Sequence, residues 1–191
     1  MFQFKTWTQK KLLKPMRPDT TNDLIAAVAL GRPGPQAMGS DVAYCERKNG
    51  SEKITVPHQD LWPVYQETYG LLVYQEQVMR AVQVLAGFSG SEADHVRKAA
   101  GKKRMKDMQR WRAEFMDRAV ERGYDAAMLN YVWESIEAFA DYGFNKSHAC
   151  GYALMAYHEA WLKARHPIEF WSASMMFAPR NPRSDNNIWH A

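Results

Sequence analysis

The residues best suited to chemistry are gathered in one stretch, Tyr142-Gly143-Phe144-Asn145-Lys146-Ser147-His148. It combines aromatic rings, an amide, an ammonium, a hydroxyl and an imidazole. Leu129, Val132, Ile136 and Phe139 precede it at helical spacing, and Gly143 fits the left-handed position just past that helix. Ala149, Ala153, Ala156, Ala160 and Ala164 follow as a small-residue stripe on a second helix, with Asn145 or Ser147 as its N-cap. Lys146 and His148 at that helix start oppose the macrodipole. An anion such as a phosphate, docked on the free backbone N–H groups, would account for them. The competing reading is a solvated loop with Lys146 turned to water.

A second run of cations lies between Arg97 and Arg112. Arg97, Lys98, Lys102, Lys103, Arg104, Lys106, Arg110 and Arg112 face Asp107 as the lone acid. The Gly101-Lys102-Lys103-Arg104 turn again sets positive charge at a helix start. Together the two features suggest a polyanion site, for a triphosphate or a nucleic-acid backbone. A solvated basic face balanced by the acidic helix 125–141 is the alternative. Metal-assisted phosphoryl transfer requires convergent carboxylates, whereas Glu76, Asp94 and Asp141 are scattered. The chain has no P-loop and no GxSxG, and His148, Cys150 and His158 do not match a zinc spacing. No catalytic and no metal-binding residue is assigned. His58 and His95 read as surface or turn residues. On these grounds the chain is a phosphate-binding domain without metal catalysis of its own.

The elements that must position these residues read as helices. The 191 residues suffice for one sizeable core, and the net charge of +4 permits a nucleotide or nucleic-acid partner. Cys45 and Cys150 form no CxxC pair, which fits a reducing compartment. With no bilayer-length apolar run and no signal-peptide core, a cytoplasmic protein without membrane contact is expected. Lys5, Lys10, Lys11, Lys14 and Arg17 with Phe4, Trp7 and Leu12 predict a basic amphipathic first helix ended by Pro15 and Pro18. Thr21 or Asn22 caps a helix over 23–30, and Arg32-Pro33-Gly34-Pro35 forms a stiff turn. The pattern is weak over 36–56, with a short strand expected at 53–56. Leu71, Tyr74, Val78, Val82 and Leu85 predict a helix broken by Gly87 and Gly90, followed by one over 92–100. Met105, Met108, Trp111, Phe115 and Ala119 mark the next, stopped by Gly123. Residues 170–177 extend a short helix after His166-Pro167, and the tail from 178 to 191 reads as poorly ordered. The expectation is an all-α domain over 1–177 with at most one short extended segment near 45–56.

Five motifs in register then carry a resemblance. They are Ala29-Leu30-Gly31-Arg32-Pro33-Gly34-Pro35, Glu67-Thr68-Tyr69-Gly70, Tyr74-Gln75-Glu76-Gln77-Val78-Met79, Arg97-Lys98-Ala99-Ala100-Gly101-Lys102-Lys103, and Tyr142-Gly143-Phe144-Asn145-Lys146-Ser147-His148-Ala149. In that order they resemble the fingers region of the bacterial replicative DNA polymerase III alpha subunit, the C-family polymerases. The resemblance runs to about Phe177. It implies a helical domain that covers an incoming dNTP beside primer–template DNA. Arg97, Lys98, Lys102 and Lys103 would face the phosphates. Tyr142, Phe144, Asn145, Lys146, Ser147 and His148 would line the nucleotide or nascent base pair, supported by Arg32, Gln75 and Gln77.

The match has departures. Lys98 and Ala100 stand where the family typically has Arg and Met, Gly31 replaces an aromatic, Cys150 a small residue, and Lys5-Thr6 a Glu-Ser pair. Arg to Lys at 98 gives up bidentate phosphate geometry. The resemblance also places the metal-binding aspartates in a palm upstream of Met1. The Mg²⁺ of the complete polymerase site is then expected on a palm-bearing chain, and the isolated chain is expected not to polymerise DNA. Three functions compete: fingers of a polymerase completed by that partner, a non-enzymatic DNA- or nucleotide-binding or polymerase-competitor module, and a degenerate remnant.

Overall fold

Eleven α-helices and two short 3-10 helices, Gln59–Leu61 and Gln66–Thr68, make up the regular structure of the described residues, 4–101, 104–139 and 142–177, in a computed structural model of the chain. No strand forms among those residues, and one isolated parallel bridge joins Tyr74 to Phe144. The expected all-α fold is thus found.

The helices build two apolar clusters. The first gathers α1 (Trp7–Met16), α2 (Thr21–Leu30), α4 (Ser40–Lys48) and α10 (Lys146–Arg165) around Met16, Leu30 and Tyr44. Thr20 and Asp23 form a reciprocal capping box at the start of α2, while buried Asp23 also accepts from Tyr44 Oη at 3.1 Å and so ties α4 to the cap. Ala149, Ala153 and Ala156 of α10 are buried, and α10 packs along α2, itself lined by Ala26, Ala27 and Ala29. Small side chains on both helices permit this close approach. The stripe reaches only that far, since Ala164 is exposed.

The second cluster is built by α5 (Trp62–Tyr65), α6 (Gln75–Ala86), α7 (Gly90–Gly101), α8 (Met105–Glu121) and α9 (Ala126–Phe139). Val78, Ala81, Val82 and Leu85 recur at helical spacing on α6, and Phe115, Leu129, Trp133 and Ile136 close the layer above it. Gly87, at φ +68°, ends α6, as its lack of a Cβ allows. Ser89 and Glu92 then cap α7 reciprocally.

Several boundaries differ from expectation. Thr20 caps α2, and α1 runs through Pro15 to Met16, ending at left-handed Arg17. Trp7 is 74% exposed, so the buried face of α1 is Leu12 and Met16 with the amide of Gln9. The Arg32 turn leads directly into α3 (Pro33–Ala37), with proline at its first position. The expected strand at 53–56 does not form, and residues 45–48 belong to α4, a helix hidden by its weak apolar pattern. Helix α6 begins at Gln75, because Leu71 and Val73 are tied to the Gln77 amide, whose Oε1 accepts from Val73 N and whose Nε2 donates to Leu71 O. Helix α11 (Pro167–Met176) buries no residue. The tail 178–191 lies outside the described residues. Both cysteines are free, and burial pushes the Cys45 thiol up to about 11. Among the described residues no helix is long and apolar enough to cross a membrane.

Two outcomes follow from this packing. Ala153→Leu forces extra volume into the α2–α10 contact and is expected to lower unfolding free energy by about 1–3 kcal/mol in urea titration; an unchanged midpoint would mean the helices are not closely packed there. Glu92 is held down at about 2 by hydrogen bonds from Arg118 and from Ser89. Because this folded value lies below the ordinary 4.5, its stabilisation is complete above 4.5 and lost as pH falls toward 2. Glu92→Gln is therefore expected to flatten the acid limb of a melting-temperature profile, whereas parallel profiles would detach the pair from acid stability.

Candidate functional site

Successive side chains at the start of α6 organise residues 142–148. Gln75 N donates to Phe144 O at 2.9 Å, and Gln75 Nε2 donates to Gly143 O at 3.1 Å. On its other side, Gln75 Oε1 accepts from Arg97 Nη1 at 3.3 Å. One amide thus joins the cation-rich end of α7 to the loop before α10. Gly143 is not in the left-handed region expected of it. Its requirement is space, because a Cβ there would lie 2.8 Å from Phe139 Cε1 and 3.1 Å from Gln75 Cγ.

Glu76 faces the start of α10. Its carboxylate accepts from Lys146 N at 3.0 and 3.1 Å and from Asn145 Nδ2 at 2.9 Å. Asn145 caps the helix, accepting from His148 N at 2.8 Å and from Ser147 Oγ at 2.6 Å. Lys146 Nζ reaches Glu67 at 2.6 Å and lies 5.6 Å from the Tyr74 ring centroid. The helix start therefore meets carboxylates of the chain itself, which complement the macrodipole and offset the lysine. Neither a wholly solvated Lys146 nor an empty helix terminus is found.

Gln77 is buried behind this junction. Its Oε1 accepts from Val73 N and Tyr74 N at 2.8 Å each, and its Nε2 donates to Val64 O, Thr68 Oγ1 and Leu71 O. It is a positioning residue, as is Gly70, whose φ of +81° and lack of room for a Cβ against Thr55 O require glycine.

Arg97 and Lys98 share Asp94. Arg97 Nη2 and Lys98 Nζ each approach a carboxylate oxygen at 2.6 Å, and these contacts, from Lys98 first and then Arg97, hold the Asp94 carboxyl below its usual range. Arg32 lies over the Phe144 ring at 4.9 Å, Phe144 stands 5.5 Å from His148, and His148 meets Tyr152 edge-on at 4.2 Å. The structure thus brings Arg97, Lys98, Gln75, Phe144, Asn145, Lys146, Ser147, His148 and Arg32 into one continuous strip. Tyr142 leaves it. Its ring fills the space over Gly34 and lines a separate cleft of about 230 Å³ with Leu30, Met38 and Leu72. Lys102 and Lys103 lie outside the described residues. Sequence reasoning leaves Glu76 and Asp94 as scattered carboxylates and gives none of Glu67, Glu76 and Asp94 a cation to hold; the signal for Glu67 and Glu76 is the unexplained positive charge at the start of α10.

Among the described residues no group of three or more His, Cys, Asp or Glu could hold a metal ion. Fold and junction together define an all-α domain whose cationic and aromatic side chains converge where α6, α7 and α10 meet. The family model for the bacterial DNA polymerase III alpha subunit finger domain matches residues 1–123, and the chain belongs to that family. It is 45% identical over 175 residues to the DNA polymerase III subunit alpha of Aquifex aeolicus, covering 92% of this chain and 15% of that protein. Identity to the protein of the same name from Escherichia coli strain K12 is 43% over 180 residues, covering 92% and 16%. The Vibrio cholerae protein gives 42% over 180 residues with the same coverage. The chain thus spans roughly a sixth of the length of these relatives.

Glu76→Ala leaves the Lys146 N–H and the Asn145 amide without their acceptor. The expected loss is about 1–3 kcal/mol of stability, with faster amide hydrogen exchange confined to 145–148. Exchange at the wild-type rate would show that the start of α10 is held by other contacts.

Proposed function

We propose that the chain forms the fingers of a C-family replicative DNA polymerase. In this reading Arg97 and Lys98, with Lys102 and Lys103, face the phosphates of the incoming dNTP. Phe144, Asn145, Lys146, Ser147 and His148 line the nucleotide and nascent base pair on primer–template DNA, and Arg32, Gln75 and Gln77 support them. Tyr142 takes part from behind, by fixing the loop on Gly34. The palm carboxylates and their Mg²⁺ lie on a palm-bearing partner, where they supply the charge neutralisation that nucleotidyl transfer requires. The site of action is the cytoplasm.

The observation that carries the reading is the Gln75 bridge between Arg97 and residues 143–144, in a chain of this family. It fixes a cationic helix end and an aromatic, amide-bearing loop as one unit. The ion pairs on this face favour exchange. Side chains of Arg97, Lys98 and Asp94 are 29%, 54% and 31% exposed, and exposed pairs of this kind contribute little. A triphosphate brings more negative charge and more acceptors than one carboxylate. Displacing Asp94 therefore costs little compared with what the phosphates return.

Primer extension tests the proposal. The chain mixed with a palm-bearing alpha-subunit fragment is expected to extend a primer with Mg²⁺, and each component alone is expected to be silent. Arg97→Ala in that mixture is expected to weaken dNTP use by about 1–3 kcal/mol, that is, roughly fivefold to 150-fold in kcat/KM. Silence in every mixture, with salt-dependent DNA binding indifferent to nucleotide, would instead establish a non-enzymatic binding module.

A further inference from the structure

The outward sides of α10 and α11 are apolar and exposed. Leu154, Tyr157 and Trp161 lie on one face of α10, opposite the buried Ala149, Ala153 and Ala156, and are 50%, 51% and 47% exposed. Ile168, Met175 and Met176 recur on one face of α11, where Ile168 and Met176 each reach 78%. Helix α11 packs on α10 and buries none of its 10 residues. A helix that short is marginal without an apolar partner, so the pair presents a face that gains from being covered.

The area and the charge of this face fit a second copy of the chain. Large apolar side chains offer about 150–250 Å² each, so these six together present on the order of 700 Å² of apolar surface. A standard interface buries about 800 Å² per partner, somewhat over half of it apolar, or about 450–500 Å². The face therefore exceeds what a specific pairing needs. Around it stand Glu159 and Glu169 together with Lys163 and Arg165, and Lys163 Nζ lies 4.6 Å from the Trp171 ring centroid. A face with as many acids as bases does not repel its own copy, and a two-fold axis sets it against itself so that acid can meet base. A partner surface of one sign gains no such match.

We propose that two copies of the chain associate about a two-fold axis through α10 and α11, so that the two helical pairs cover each other. Residues 145–148 lie at the other end of α10 from this contact, which leaves the junction of α6, α7 and α10 open in both copies. The inference stands on exposure, area and charge, and does not rest on the polymerase reading.

Sedimentation equilibrium of the purified full chain across micromolar concentrations tests the contact. The expected result is a reversible equilibrium between the 22.0 kDa chain and a species of twice that mass. Ile168→Asp and Met176→Asp are each expected to weaken the association at least about tenfold, since a carboxylate would enter an apolar contact. Both positions are exposed in the single chain, so helical circular dichroism is expected to be unchanged; Ile168→Asp even adds an acid to the first turn of α11, where it complements the macrodipole. A chain that stays single at every concentration, one that forms only larger, open-ended species, or a dimer that survives both substitutions overturns the proposal. A single chain that instead forms a one-to-one complex with a palm-bearing alpha-subunit fragment, lost in Ile168→Asp, overturns it in favour of that fragment. A single chain whose α11 amides lose protection from hydrogen exchange in Trp189→Ala overturns it in favour of residues 178–191 as the cover.

Discussion

The constraint on which the structure depends is the start of α6, where four consecutive residues together hold the loop before α10, the end of α7 and the chain from Val64 to Tyr74. Tyr74 is buried against Lys146, Gln75 holds Gly143, Phe144 and Arg97, Glu76 receives the start of α10, and Gln77 satisfies the chain between Val64 and Tyr74. Four residues of a helix start point in different directions, because successive helical positions do not share a face. A single helix terminus can therefore act as a hub. The apolar side of the same helix, from Val78 to Leu85, is fixed in the second core. A shift of α6 would disturb the core and the polar junction together.

Polar groups at such a hub have to be matched almost completely. Gln77 uses both ends of its amide against five groups of the surrounding chain, which would otherwise be buried or half-buried without partners. Loss of one partner in a low-dielectric network leaves the others with a desolvation cost, so the network favours one arrangement. This is the physical reason that an irregular segment such as 66–74, with a left-handed Tyr69 and Gly70, keeps one conformation. The outer side of the hub is arranged differently. There Lys146–Glu67 and Lys98–Asp94 are partly exposed pairs, ordered enough to place the cations and weak enough to exchange.

Helix number and class were legible wherever apolar residues recurred at helical spacing, as at Val78–Val82–Leu85 and Leu129–Val132–Ile136. The alanine stripe of α10 was legible too, although its partner α2 was not, because an alanine contact carries no signature of what it touches. Helix α4 was missed since its exposed face includes Val42 and its buried face includes Cys45, which blurs the period. Among the chemical residues, the basic and aromatic positions could be read as candidates, and the carboxylates that hold them could not. Glu67 and Glu76 are 79 and 70 residues from Lys146 in the chain. Their proximity is a product of how the two cores are joined and leaves no local pattern.

The internal carboxylates also change what the cations mean. A cluster of unpaired positive charge in one domain would repel itself and draw any anion without discrimination. Sharing Asp94 between Arg97 and Lys98, and pairing Lys146 with Glu67, lowers that field while keeping the side chains oriented. An incoming anion then has to outcompete a carboxylate at two places in fixed relation. A monoanion can satisfy one of them. On the fingers reading proposed above, a ligand with several linked negative charges would satisfy both, so the arrangement would favour extended polyanions over single charges.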